Sequence, residues 1–94
     1  MAVHGVQALL VLRGPIVPQD IPDLCRRARA LLERSDAELV VCDVEGLVEP
    51  DAVTVEALAR VRLTVRRLGR RVRIHHPCHE LRELVAFMGL TDIL

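Results

Sequence analysis

The chain has 94 residues, enough for one hydrophobic core and one domain over 1–94. Half of it is hydrophobic (51%), but it holds one Phe and no Tyr or Trp, so the core is aliphatic and a base-stacking platform is excluded. Thirteen basic and thirteen acidic residues cancel, every basic one is Arg, and lysine chemistry is thereby excluded.

Val6 to Leu12 is a short apolar run closed by Arg13-Gly14-Pro15, and it predicts a buried strand. Pro15, Pro18 and Pro22 mark the connection that follows. Asp20 is placed to cap a helix, with Pro22 in its first turn. Ile21, Leu24, Cys25, Ala28, Leu31 and Leu32 then form one amphipathic stripe, which puts Cys25 in the core.

Leu39 to Val44 is nearly continuous in apolar residues, the pattern of a central parallel strand covered on both faces. Cys42 belongs to that core. Asp43 falls at the strand's C-terminal end, where open α/β sheets present functional loops. Glu45 to Pro50 reads as a loop, after which Asp51 opens the longest helix. Thr54, Leu58, Val61, Val65 and Leu68 give its stripe, widened by Val53 and Ala57. Glu56 and Arg60 form an acid-first i, i+4 pair, and Gly69 ends the helix.

Arg71-Val72-Arg73-Ile74-His75 alternates as a half-exposed strand does. Pro77 starts a third helix with Leu81, Leu84, Val85 and Met88 on one stripe, closed by Gly89. Leu90 to Leu94 is an apolar tail expected to pack back on the sheet. The order β-α-β-α-β-α implies a mainly parallel sheet with right-handed crossovers.

Charge is segregated along the chain. Asp36, Glu38, Asp43, Glu45, Glu49, Asp51 and Glu56 come with no intervening base; Arg60, Arg62, Arg66, Arg67, Arg70, Arg71 and Arg73 come with no intervening acid. Acid first and base last complements the dipole of the second helix, and it also makes a bipolar surface for a partner of matching charge. Zero net charge and the neighbouring acidic block argue against nucleic acid as a partner.

Motifs for chemistry are sparse. Ser35 is the one serine, without a nucleophile-elbow context, and the glycines form no phosphate-cradling loop. His75, His76, Cys78 and His79 are the densest metal-capable cluster, but they lack the paired spacing of a structural zinc site and are read as a polar loop. Asp43, Glu45, Glu49 and Asp51 are a weaker carboxylate set for Mg²⁺. No metal and no cofactor are expected. Three cysteines and no secretory n-region in Met1-Ala2-Val3-His4-Gly5 point to a reducing, cytoplasmic setting; the apolar run Ala8 to Leu12 is too short for membrane insertion.

The stretch Leu39 to Leu68 resembles the STAS domain of sulfate transporters and anti-sigma factor antagonists. An apolar strand ends in Asp43, a loop follows, and Asp51-Ala52-Val53-Thr54-Val55 occupies the place of the family's Asp-Ser-Ser/Ala-Gly-Leu motif ahead of a helix closed by Gly69. Leu10-Val11-Leu12-Arg13-Gly14 is similar to the family's strand ending in Gly, and Leu81 to Leu90 to its closing helix. The resemblance implies an α/β, STAS-like, mostly parallel sheet of about four strands with helices packed against it, the N-terminal strand truncated or absent. That would leave a free edge for strand pairing, in a homodimer or with a partner.

The resemblance further implies a non-enzymatic, bacterial regulatory module of the anti-sigma factor antagonist kind, acting in transcription by binding a kinase-like anti-sigma factor. Its docking surface would be Val48, Glu49, Pro50, Asp51, Ala52, Val53, Thr54 and Glu56. The position that carries the phosphorylated Ser in relatives holds Ala52 here, so no phosphorylation is expected there, and Thr54 is a weak substitute. The alternative is the STAS subunit of an ABC-type lipid transport complex, supporting its cytoplasmic ATPase.

Overall fold

A computed structural model describes residues 7–94. The elements are β1 (Gln7–Arg13), α1 (Asp20–Glu33), β2 (Leu39–Gly46), α2 (Ala52–Arg67), β3 (Arg71–His75), α3 (His79–Phe87) and a 3₁₀ turn (Thr91–Ile93). Val6, the expected start of the first strand, and any earlier strand lie outside the described residues.

Among the described residues the sheet has three strands in the order β1-β2-β3, all parallel. Three described strands rather than about four fit the expectation of a truncated N-terminal strand. Two right-handed crossovers stepping the same way across a sheet place both helices on one face. Accordingly α1 and α2 pack against each other as well as on the strands.

The core lies between that helix pair and one face of the sheet. Ala8, Leu10 and Leu12 of β1, Val40, Cys42 and Val44 of β2, and Ile74 of β3 meet Leu24, Ala28 and Leu32 of α1 and Val55, Leu58, Val61 and Val65 of α2. The period-2 alternation of the strands and the 3.6-residue stripe of the helices explain which residues these are.

The expectation that β2 is covered on both faces is corrected. Val41 is buried, yet it stands apart from the core cluster, on the opposite face, flanked in register by Leu9 and Arg73. Among the described residues the helices pack on the core face, and Val41 lies between Leu9 and Arg73 on the other. The continuous apolar run in β2 therefore reflects its central position, not a second helix layer.

Local signals differ from expectation in three further places. Asp20 does not cap α1; Gln19 holds that position, and the Asp20 carboxylate accepts the Val17 N–H at 3.0 Å, closing the turn before the helix. β2 runs on through Gly46, because Arg13 of β1 still pairs with Gly46 after an irregularity in register. The C-terminal tail packs on α2 and α3, burying Ile93 and pairing Asp92 with Arg62 at 3.6 Å. A tail leaving α3, which itself lies against α2, meets helices before it meets the sheet.

Gly69 does end α2. With φ +77° it lets the Gly69 N–H reach the Arg66 carbonyl and the Arg70 N–H reach the Val65 carbonyl, the paired bonds of a Schellman turn.

Burial also separates the thiols. Cys42 is fully buried in β2, and burial pushes its thiol from an ordinary 9.0 up to about 12, while Cys78 is exposed. Thiolate is the reactive form. A chromogenic disulfide reagent at pH 8 is therefore expected to modify Cys78 within minutes and Cys42 only after denaturant is added. Mass spectrometry of the labelled peptides reads the order.

Candidate functional site: the start of α2 and its flanking grooves

Asp51 and Thr54 build the start of α2. The Asp51 carboxylate accepts the Thr54 N–H at 3.0 Å, and Thr54 Oγ1 accepts the Asp51 N–H at 3.2 Å. The Thr54 O–H also donates to Asp51 Oδ1 at 3.2 Å. This is a reciprocal capping box with Thr in the place more often held by Glu. Thr54 is 2% exposed, so its hydroxyl is both engaged and covered. Asp51→Ala removes the cap and leaves that hydroxyl short of a partner. It is expected to lower stability by about 1 kcal/mol in urea denaturation.

The other residues expected at this site divide by exposure. Val48, Glu49, Asp51, Ala52 and Glu56 are exposed, Pro50 and Val53 are half-buried, and Thr54 is buried. Glu49 has φ +48°, and its left-handed backbone turns the loop into α2. The acids belong to this loop and the N-cap. Inside α2 the first turn carries none, while Arg66 and Arg67 occupy the last turn, so the bipolar charge pattern holds with its acidic pole just outside the helix.

Two shallow grooves flank this helix start. One lies against α1 and is lined by Pro18, Ile21, Pro22, Cys25, Glu56 and Arg60. The other lies against α3 and is lined by Pro50, Glu80, Glu83, Leu84 and Phe87. Phe87, the one aromatic side chain of the protein, is 89% exposed there. Sequence reasoning missed it. The available signal was that Phe87 falls off the Leu81, Leu84, Val85, Met88 stripe of α3.

His75, His76, Cys78 and His79, read from the sequence as a polar loop, do not converge on one point. His79 pairs along α3 with Glu83 at 3.3 Å, and Cys78 is the exposed N-cap of α3. His76 turns instead toward β2, with Nδ1 3.5 Å from Asp43 Oδ1. Asp43 Oδ1 also accepts the Glu45 N–H at 3.0 Å. That bond is the main reason the Asp43 carboxyl titrates below its ordinary range; partial burial opposes the shift, and His76 and His75 add to it. Nor do Asp43, Glu45, Glu49 and Asp51 form one carboxylate set, since the Asp51 carboxylate is committed to Thr54.

A parallel sheet backed by helices on one face, with an exposed, capped helix start between two shallow grooves, defines a small α/β domain with an open helix start. The family model described as "Mlab, STAS domain" matches residues 2–94, and the chain belongs to the STAS domain family. The comparison with curated proteins returned no match. STAS domains are in general non-catalytic and engage protein partners. Among the described residues no helix is long and apolar enough to cross a membrane.

Proposed function

We propose that this chain is a non-enzymatic, cytoplasmic regulatory module that docks a protein partner through the start of α2, in the manner of an anti-sigma factor antagonist without a phosphate switch. The observation that carries the reading is the exposed methyl group of Ala52 at the first position of a capped helix, between grooves that carry exposed apolar side chains. A short side chain at that position lets another protein approach closely. A phosphorylated hydroxyl there would add roughly −1.5 to −2 charges and repel it. Ala52 has no acceptor oxygen, and the Thr54 hydroxyl is buried in its cap. Binding is therefore constitutive, set by how much of each partner is present.

Phe87 supplies exposed apolar area in the groove that it lines with Pro50, Glu80 and Glu83, and Val48 is exposed in the loop before α2 beside Glu49. An apolar centre with an acidic rim suits a partner whose own patch is apolar with a basic rim. A second reading draws on the same lack of an acceptor at position 52: a STAS subunit that braces the ATPase of an ABC-type lipid transporter needs no phosphate switch.

Affinity capture from the native host, followed by identification of the retained protein, tests both readings. A kinase-like anti-sigma factor supports the first, and an ATPase with its permease supports the second. Retention undiminished by substitution at both Ala52 and Phe87 would place the interface elsewhere.

A further inference from the structure

Parallel pairing brings together a group of side chains that lie apart in the sequence. Val11, Asp43 and His75 are register partners across β1, β2 and β3. Asp43 and Glu45, two residues apart on β2, point to the sheet face opposite the helices. His76 follows β3 directly, and its φ of +62° carries it out of the strand path beside Asp43.

One donor atom each from Asp43, Glu45 and His76 lies within 4.8 Å of the others. Donors bound at about 2.0–2.1 Å in tetrahedral geometry sit about 3.3 Å from one another. The 3.5 Å between His76 Nδ1 and Asp43 Oδ1 is close to that edge, and side-chain rotation of exposed Glu45 brings in the third donor. The His75 ring stands edge-on to His76, with centroids 5.5 Å apart, and supplies a second imidazole at the margin.

We propose that Asp43, Glu45 and His76 form a binding site for one divalent transition-metal ion of the zinc class. Imidazole and carboxylate together suit Zn²⁺ better than the all-oxygen shells of Mg²⁺ or Ca²⁺. Two of the ligands sit on β2, Asp43 in register with Val11 and His75 and Glu45 in the irregular stretch that follows. The Asp43 and His76 side chains are 29% and 60% exposed, so the ion enters from solvent and keeps water in its remaining position. Bound there, it ties the C-terminal part of β2, ahead of the loop into α2, to the residue that follows β3.

Calorimetric titration of the untagged full chain with ZnCl₂, in a non-thiol reductant, tests this. The expected result is one saturable site per chain, weakened at least tenfold in Asp43→Asn and in His76→Asn, the latter chosen because Asn tolerates a left-handed backbone. Cys78→Ser and His79→Asn, which remove the exposed thiol and the His79–Glu83 pair, are expected to bind as the wild type does. Amide resonances of residues 43–45 and 75–76 should shift in the wild-type protein on adding Zn²⁺, a readout that needs no variant to fold. Absence of a saturable site would overturn the proposal. So would wild-type binding by both ligand variants, loss of binding in Cys78→Ser or His79→Asn instead, or shifts confined to α3.

Discussion

Leu58→Ala is expected to lower stability by about 3 kcal/mol, within the roughly 2–5 kcal/mol range for a buried Leu truncated to Ala. Leu58 is 1% exposed, at the middle of α2, in the same core cluster as β-strand and α1 side chains. Its removal leaves a cavity lined on several sides by groups already held by backbone hydrogen bonds, so the site collapses poorly. A domain of this size has a total stability of about 5–15 kcal/mol, so the loss is a large fraction of it. The melting temperature should fall by roughly 12–24 °C, given about 4–8 °C per kcal/mol for a domain under 100 residues. Thermal unfolding followed by circular dichroism checks it. A fall under 3 °C would mean that α2 is not clamped between α1 and the sheet as described.

Ala52→Asp and Phe87→Ser are expected to do the opposite: leave the fold nearly intact and weaken docking. Position 52 is the first residue of α2, and a carboxylate at a helix N-terminus is favourable by about 0.3–1 kcal/mol. Phe87 is almost wholly exposed, so its loss should change stability by no more than about 0.5 kcal/mol. Affinity for the captured partner should nevertheless fall at least tenfold in each, about 1.4 kcal/mol or more. For Ala52→Asp the cause is an added charge where the partner approaches; for Phe87→Ser it is the loss of an aromatic anchor. Surface plasmon resonance on proteins with matched melting curves separates this from misfolding. Unchanged affinity in both variants defeats the proposed surface. An effect in Phe87→Ser alone shifts its centre from the start of α2 to the groove against α3.

Much of this protein was legible in its residues. Alternation in β3, the stripe of α1, that of α2 up to Val65, the Asp51 cap and the Gly69 stop all follow from local spacing, because secondary structure answers to side-chain periodicity and to the few residues that terminate it; Leu68, placed on the same stripe, is exposed beyond the helix end, and the family came from resemblance to a known order of motifs. Burial of Cys42 followed from its place in an apolar run. What needed the tertiary structure were facts about neighbours. A second helix layer was the wrong reading of β2: among the described residues Val41 stands on the face away from the helices, between Leu9 and Arg73 of the adjacent strands. The histidines were grouped by adjacency in sequence, yet a strand end and a helix start send His76 and His79 to different partners. Asp43 met His76 only through parallel register, which joins positions more than thirty residues apart. Phe87 stood off the apolar stripe of α3, which signalled its exposure, but that it lines a groove with Pro50 depended on where α3 lies against α2. Periodicity decides which face of an element is apolar; only packing decides what that face, and the opposite one, will touch.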